Sequence, residues 1–183
     1  HVGGSLAMSE TSYGPDPPQC AICLNTLGGL LLQTLRVEVP EEHYRRALAI
    51  DEAGYGPDHP QVAIYLNALG EFQRQTQRLE EAEEHYRRAL AICEASYGPD
   101  HPQVAIYLNN LGELLRQTNR LEETEEHYRR ALAINEASYG PDHPKVAIRL
   151  NNLGGLLLQT NRLEEAEEHY RRALAIYEAS YGP

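Results

Sequence analysis

The hexapeptide YGPDHP occurs three times in this 183-residue chain, beginning at residues 55, 97 and 139, so that successive copies start 42 residues apart. Recurrence at a fixed period is typical of stacked copies of one small structural unit. An enzyme needs its catalytic Asp and His only once, in one pocket. The period therefore constrains the fold more than any other feature of the chain.

The Tyr-Gly-Pro triplet that opens each copy divides the chain into sections. The sequence predicts four repeats, the first of them degenerate, at residues 13–54, 55–96, 97–138 and 139–180. Residues 181–183 spell the triplet again and are interpreted as the start of a truncated fifth repeat. Residues 1–12 match none of the repeats and are interpreted as a flanking segment.

Two stretches of the third repeat have helical periodicity. The first, helix A, is predicted from Pro102 to Gln117, with apolar residues at i, i+4, i+7 and i+11: Val104, Leu108, Leu111 and Leu115. The second, helix B, is predicted from Leu121 to about residue 137. In the second repeat Gln73 takes the place of the last of these leucines, and a buried amide there needs a polar partner.

The recurrent Asp-His-Pro tripeptide is predicted to start helix A. Asp100, with Gln103 three residues later, has the spacing of a capping box, and Pro102 suits the first turn. Asn119 falls where helix A must stop, and Asn tolerates the left-handed conformation of a C-terminal cap. The Asp-His pairs are therefore interpreted as helix starts, in preference to catalytic bases or metal ligands.

Each repeat thus contains two amphipathic helices, neither of which can bury its apolar stripe alone. Stacking on neighbouring repeats completes the core, with contacts between adjacent units. The predicted fold class is all-α, a superhelical solenoid of antiparallel helix pairs.

Charge and composition exclude several classes of function. The formal net charge is −11, whereas a nucleic-acid partner requires clustered Lys and Arg to neutralise its phosphates. No stretch approaches the roughly 18 apolar residues of a membrane-spanning helix, and the N-terminus does not resemble a secretory signal peptide. Three cysteines do not form the even framework of a small extracellular protein. We expect a cytoplasmic protein with neither nucleic acid nor membrane as a partner.

A Cys-x-x-Cys sequence, Cys20 to Cys23, is the one motif that suggests metal or redox chemistry. Structural zinc needs four ligands, usually from a second such pair, and the redox version expects a strand that an all-helical chain lacks. The cysteines are interpreted as substitutions within helix A, with a metal or redox role as the alternative. No phosphate loop, nucleophile elbow or HExxH motif occurs. We therefore predict no catalytic residue, no metal site and no cofactor.

The side of helix A opposite its apolar stripe is the candidate binding surface. Asn carries both a donor and an acceptor, so a ladder of Asn along a groove can bind peptide backbone with little regard to the peptide's side chains. The alternative is a solvated polar face without a ligand. The candidate groove residues in repeats two to four are Asn67, Asn109, Asn110, Asn151 and Asn152, with Ile64, Ile106, Ile148, Arg74 and Arg116.

Several of these residues carry a family resemblance. Leu111-Gly112, Tyr128 and Ala131, with a small residue at position 124 or its equivalents, have the spacing of the tetratricopeptide repeat. The 42-residue period, with DHP before helix A and LNNL within it, resembles the extended repeats of kinesin light chain and its bacterial relatives over residues 13–180. The resemblance implies a right-handed solenoid and a groove whose LNN asparagines hold extended cargo peptides. The matching positions are Asn25, Asn67, Asn109, Asn110, Asn151 and Asn152.

Two hypotheses of function follow. The first is a non-catalytic interaction scaffold that binds an extended peptide or a partner surface in the groove of its A helices. The alternative is a structural array, a segment of a longer solenoid or an engineered repeat, that associates end to end through uncapped helices such as the last one, around Leu174 and Tyr177.

Overall fold

The computed structural model describes residues 38–182, and the all-α prediction is confirmed for them. They form seven helices: α1 (Glu38–Tyr55), α2 (Pro60–Gln75), α3 (Leu79–Tyr97), α4 (Pro102–Gln117), α5 (Leu121–Tyr139), α6 (Pro144–Gln159) and α7 (Leu163–Tyr181). The even-numbered helices are A helices, and the odd-numbered ones are B helices. The chain divides into two compact units between Ile92 and Cys93, within α3. None of the seven helices is both long enough and apolar enough to span a bilayer.

Each A helix begins with proline, as predicted, but its capping residue differs from the prediction. The cap of α4 is His101, whose Nδ1 accepts the backbone N–H of Gln103 at 3.1 Å. His59 and His143 cap α2 and α6 in the same way. The capping box built on Asp100 is therefore wrong, because the residue directly before the proline occupies the cap position. Stacking of Tyr97 on His101, with ring centroids 4.8 Å apart, holds the imidazole in place.

The left-handed residue after each A helix is confirmed. Gln77, Asn119 and Asn161 have φ of 63°, 60° and 59°. The following backbone N–H groups turn back to the helix, for example from Arg120 N to Leu115 O at 2.9 Å. This turn reverses the chain within three residues, so that α5 and α7 each pack against the A helix before them.

The core of the second unit fills the space between its A and B helices. Its buried members come from three successive helices and include Tyr128 and Leu132 of α5, Leu150 and Leu153 of α6, and Ala173 and Ile176 of α7. A smaller cluster in the first unit joins Ala47 and Ile50 of α1 to Tyr65 of α2. In the second unit α6 thus packs both on its own B helix, α7, and on the B helix of the preceding repeat, α5.

The shortest ion pairs between successive repeats share one direction. In the first unit the carboxylates of Glu41 and Glu52 in α1 pair with the guanidinium groups of Arg78 and Arg88 in the next repeat, each with an N···O distance of 2.6 Å. In the second unit equivalent pairs recur: Glu94 with Arg130 at 2.6 Å, Glu125 with Arg162 at 2.7 Å, and Glu136 with Arg172 at 2.6 Å. In these five pairs the carboxylate belongs to the earlier repeat and the guanidinium to the later one, whereas two longer pairs, Arg45 with Glu81 and Arg129 with Glu165, run the other way at 3.6 Å.

Candidate functional site

The candidate groove residues of the second unit lie on two neighbouring A helices, α4 and α6. Nδ2 of Asn152 donates a hydrogen bond to Oδ1 of Asn109 at 2.6 Å, which joins two residues 43 positions apart in the chain. Asn110 and Asn151 are likewise only partly exposed. The structure therefore brings the first Asn of the third repeat's pair together with the second Asn of the fourth repeat's pair.

Apolar side chains flank these amides. Ile106 is 43 % exposed and Ile148 is 45 % exposed. Each isoleucine precedes the first Asn of its helix by three residues, which places the two on one helical face. Leu158, seven residues after Asn151, is 49 % exposed. The face thus presents amides between exposed aliphatic side chains.

The first unit presents the same kinds of residue on α2. Ile64 is 44 % exposed, and Asn67 and Arg74 are partly exposed. Ala68 stands where the later repeats have a second Asn. Asn25, the candidate in the first repeat, lies outside the described residues.

Arg116 belongs to a cluster that sequence reasoning missed. Its guanidinium donates to both carboxylate oxygens of Glu113, at 2.6 and 3.2 Å, and the Tyr128 hydroxyl donates to the same carboxylate at 2.8 Å. Burial, followed by the bond to Glu113, raises the pKa of Tyr128 well above its usual range. The arginine expected to line the groove is therefore engaged with Glu113 and does not present a lone positive charge.

The second repeat contains the same cluster. Arg74 bonds both carboxylate oxygens of Glu71, and the Tyr86 hydroxyl donates to Glu71 at 2.8 Å. Burial raises the pKa of the Glu71 carboxyl, but hydrogen bonds from Arg74, Gln75 and Tyr86 outweigh it and leave that pKa below its usual value. The signal in the sequence was a Tyr placed 15 residues after a Glu in both repeats.

The fourth repeat lacks this cluster. Gly155 and Leu158 stand where the third repeat has Glu113 and Arg116. Tyr170 takes the position of Tyr128 and is partly exposed, whereas Tyr128 is 1 % exposed. The candidate face of the second unit is thus charged but internally paired on α4, and free of charged groups at the matching positions of α6.

Within residues 38–182 no three or more His, Cys, Asp or Glu side chains are grouped to hold a metal ion. Cys93 is buried as a free thiol, and burial, with the nearby Glu94, raises its pKa to about 11. Cys20 and Cys23 lie outside the described residues.

Comparison with known families gives one result for most of the chain. The tetratricopeptide repeat model matches residues 41–94, 65–137 and 108–179. A comparison with curated protein sequences finds no significant match.

Solved structures with the same architecture match nearly the whole length of this chain. BtubC (BKLC) from P. vanneervenii is 26 % identical, with a TM-score of 0.87 over 100 % of this chain and 72 % of that one. A Podosopora anserina protein described as a kinesin light chain with nearly identical TPR-like repeats is 16 % identical, with a TM-score of 0.82 over 100 % of this chain and 86 % of that one. RapI in its apo form is 18 % identical, with a TM-score of 0.82 over 96 % of this chain and 62 % of that one. The two less identical structures support the fold alone.

Proposed function

Because the chain belongs to the tetratricopeptide repeat family, whose members are generally non-catalytic scaffolds, we propose that it binds a protein partner through the face formed by its A helices. The bound segment is an extended peptide held mainly by its backbone. The chain itself performs no chemistry, and its working compartment is the cytoplasm.

The hydrogen bond between Asn152 and Asn109 is the observation that carries this proposal. An Asn side chain has two donor hydrogens and a carbonyl that accepts two bonds, so one mutual bond leaves each amide with further capacity. The pair spans two successive repeats, which suits a ligand that runs across the helices. Side-chain amides can pair with both the N–H and the C=O groups of an extended backbone.

The exposed isoleucines give such a peptide apolar contact. Ile106 and Ile148 lie beside the asparagines, one on each helix, and burying an exposed aliphatic side chain contributes roughly 25 cal/mol per Å². Arg116 contributes little charge, since Glu113 already pairs with it. The proposed ligand is therefore selected more by apolar side chains than by formal charge.

Similarity to kinesin light chain supports the same interpretation. The LNN sequences of repeats three and four, which supply Asn109, Asn110, Asn151 and Asn152, match the motif whose asparagines hold cargo peptides in that family. The corresponding positions of repeats one and two are Asn25 and Asn67.

Peptide selection followed by fluorescence anisotropy tests the proposal. A library of short random peptides is panned against the chain, and a fluorescein-labelled winner is titrated with the parent and with an Asn109→Ala/Asn151→Ala variant. Removing amides that bond a buried peptide group is expected to weaken binding by about tenfold or more, since each lost bond costs about 1–3 kcal/mol.

The matched control changes an exposed polar residue of a B helix, Glu126→Ala, and should bind like the parent. Circular dichroism must show that all three proteins have the same helix content. Equal affinity of the double variant and the parent would contradict the proposal, as would a library that yields no binder at all.

A structural, self-associating array is a second candidate, favoured by the surface of α7. Leu174 is 56 % exposed, whereas Leu132, its equivalent on α5, is 8 % exposed. Leu163 at the start of α7 is 57 % exposed. A second molecule that covered this surface would bury Leu174, as α6 buries the equivalent Leu132 of α5.

A further inference from the structure

We propose that the junction of α5 and α6 binds a phosphate group through Arg149 and Lys145. Neither residue belongs to the candidate groove set, so the site does not depend on the peptide-binding face proposed above. The ligand is either the free phosphate ion or a phosphate ester on a partner protein, because the two present the same oxygens and charge to the site.

Arg149 is the one arginine of the second unit without a carboxylate partner among the described residues. Its Nε is buried and makes no hydrogen bond to them. A guanidinium that loses hydration without gaining an anion is costly, so a buried or half-buried charge is normally paired. All the other arginines between residues 93 and 182 pair with a glutamate: Arg116, Arg120, Arg129, Arg130, Arg162, Arg171 and Arg172.

A second unpaired cation lies on the same side of α6. Lys145 is the only lysine of the chain, and its ammonium contacts Tyr139 and no described carboxylate. Lys145 and Arg149 are four residues apart, which places them on one helical face. The second and third repeats have Gln and Tyr at these two positions. The fourth repeat thus replaces two neutral residues on one face by two positive charges.

Tyr139, at the end of α5, lies beside both charges. Nζ of Lys145 donates to the Tyr139 hydroxyl at 3.1 Å and stands 4.3 Å from the centroid of its ring. Burial lowers the pKa of Arg149, and the nearby Tyr128 and Tyr139 partly oppose that shift. Stacking on His143, with ring centroids 4.8 Å apart, holds the Tyr139 ring in place. An ammonium, a phenol hydroxyl and a guanidinium are therefore grouped at this junction.

The accessible edge of Arg149 favours phosphate over carboxylate. Arg116 binds the Glu113 carboxylate through Nε and Nη2, the side-on edge of the guanidinium. At Arg149 the buried Nε closes that edge and leaves the Nη atoms to a ligand. A phosphate ester carries three acceptor oxygens and a charge of about −1.5 to −2 at pH 7, so it can reach the guanidinium and the Lys145 ammonium together. A carboxylate has two oxygens and a single charge.

Phosphate binding would also offset the free-energy cost of burying Arg149. A ligand that binds the folded chain and not the unfolded one raises the melting temperature by mass action. The chain carries a formal net charge of −11, which repels anions at long range, so affinity for phosphate requires a local site. Chloride at the same ionic strength should therefore leave the melting temperature unchanged.

Titration calorimetry with inorganic phosphate at constant ionic strength tests the site. The variants are Arg149→Tyr and Lys145→Gln, which restore the residues of the third repeat and are therefore expected to fold. We expect the parent to bind and each variant to bind at least about tenfold more weakly, because each loses a charged hydrogen-bond donor. Melting curves without phosphate confirm that both variants are folded.

Arg171→Gln is the matched control. It also removes one positive charge, but from an arginine whose side chain is 78 % exposed and already paired with Glu167. This variant should bind phosphate like the parent. The proposal is overturned if the parent binds phosphate no better than chloride, if Arg149→Tyr binds as the parent does, or if Arg171→Gln loses as much affinity as Arg149→Tyr.

A second titration identifies the source of the phosphate. A glycine pentapeptide with a central phosphoserine is compared with its unphosphorylated form and with inorganic phosphate. Tighter binding of the phosphopeptide assigns a phosphorylated partner, and tighter binding of inorganic phosphate assigns the free ion. Both results uphold the site if Arg149→Tyr abolishes them, and binding of the unphosphorylated peptide at equal affinity overturns it.

The groove variant separates this inference from the proposed function. Asn109→Ala/Asn151→Ala leaves both cations of the junction in place and should bind phosphate like the parent. Loss of phosphate binding in that variant would place the anion in the groove and overturn the assignment to Arg149 and Lys145. Phosphate binding with no selected peptide would contradict the groove proposal alone.

Discussion

Gly112 of α4 lies directly against the ring of Tyr128 on α5. A methyl group built on Gly112 would stand 2.6 Å from Cε1 and 2.8 Å from Cδ1 of that ring. Tyr128 is 1 % exposed and its hydroxyl is bonded to Glu113, so the ring cannot move aside without breaking other contacts. The absence of a side chain at this position is what lets the two helices approach.

Gly112→Ala is therefore expected to destabilise the chain. The added methyl overpacks a closed contact, which typically costs about 1–3 kcal/mol and here outweighs the better helix propensity of alanine. Denaturation with guanidinium chloride measures the free energy of unfolding. A neutral or stabilising result would show that α4 and α5 can separate without cost.

Gly155→Ala is the matched comparison in another A helix. A methyl group there meets only the Tyr170 hydroxyl, at an ordinary contact distance of 3.5 Å. Replacing a glycine inside a helix by alanine then contributes up to about 1 kcal/mol of stability. The two substitutions should shift the unfolding midpoint in opposite directions.

Asp51→Asn is expected to stabilise the chain at neutral pH. Asp51 is 2 % exposed, and burial raises the pKa of its carboxyl above the usual 3.8, with His59 partly opposing the shift. The free-energy cost of burying the ionised Asp51 carboxylate is absent below the pKa that this group has in the unfolded chain. The cost appears as the pH rises through the pKa of the folded chain, and it is constant above that value. Asn135 occupies the equivalent buried position in the third repeat.

Thermal melts at pH 7 and pH 3 measure this dependence. The gain from Asp51→Asn should be present at pH 7 and should disappear at pH 3. Asp58→Asn, at an exposed position, makes the same change in net charge and should leave the melting temperature unchanged. An equal gain at both pH values would mean that charge burial is not its origin.

Arg149→Tyr should also raise stability. Arg149 replaces a tyrosine that is buried at positions 65 and 107, and its Nε is buried without a hydrogen-bond partner among the described residues. Burial lowers the pKa of its guanidinium. Removing a poorly solvated charge and restoring the aromatic ring should contribute about 1–2 kcal/mol, measured as a shift in the denaturation midpoint. The reverse change, Tyr107→Arg, should destabilise by at least as much.

Much of the local structure could be predicted because it depends on near neighbours. Pro102 and Gln117 bound α4 as the periodicity indicated, and the left-handed Asn119 follows from the intrinsic tolerance of asparagine. The cap was assigned to Asp100 because both residues before the proline can accept a hydrogen bond. Only the backbone angles show that His101 occupies the position where a side chain reaches the free N–H.

Contacts between distant residues were harder to predict. The repeat period makes Asn109 equivalent to Asn151, whereas its hydrogen bond is with Asn152 and depends on how closely α4 and α6 pack. The bond from Tyr128 to Glu113 depends on where helix B crosses helix A. No pattern confined to one helix contains that information.

For Gln73 the position in the helix could be predicted from the sequence, but its hydrogen-bond partners could not. The sequence predicted a polar residue on the apolar stripe, and Gln73 is fully buried, with its amide bonded to Glu81 at 3.3 Å and to His85 at 2.8 Å. Gln73→Leu should still raise the melting temperature, because water can reach both former partners and the new leucine adds apolar burial of about 1 kcal/mol. Leu115→Gln, the reverse change in the third repeat, should lower it. A lower melting temperature for Gln73→Leu would show that the buried amide is net stabilising.

The Glu-to-Arg ion pairs give the chain a polarity with a consequence for assembly. An interface between two molecules that copied these contacts would be heterologous, because one molecule would contribute the carboxylates and the other the guanidinium groups. Two molecules joined in this way still leave one unused surface of each kind, so the contact does not close on itself as a twofold dimer does. Growth would then continue by addition at either end, and its extent would be set by concentration rather than by symmetry.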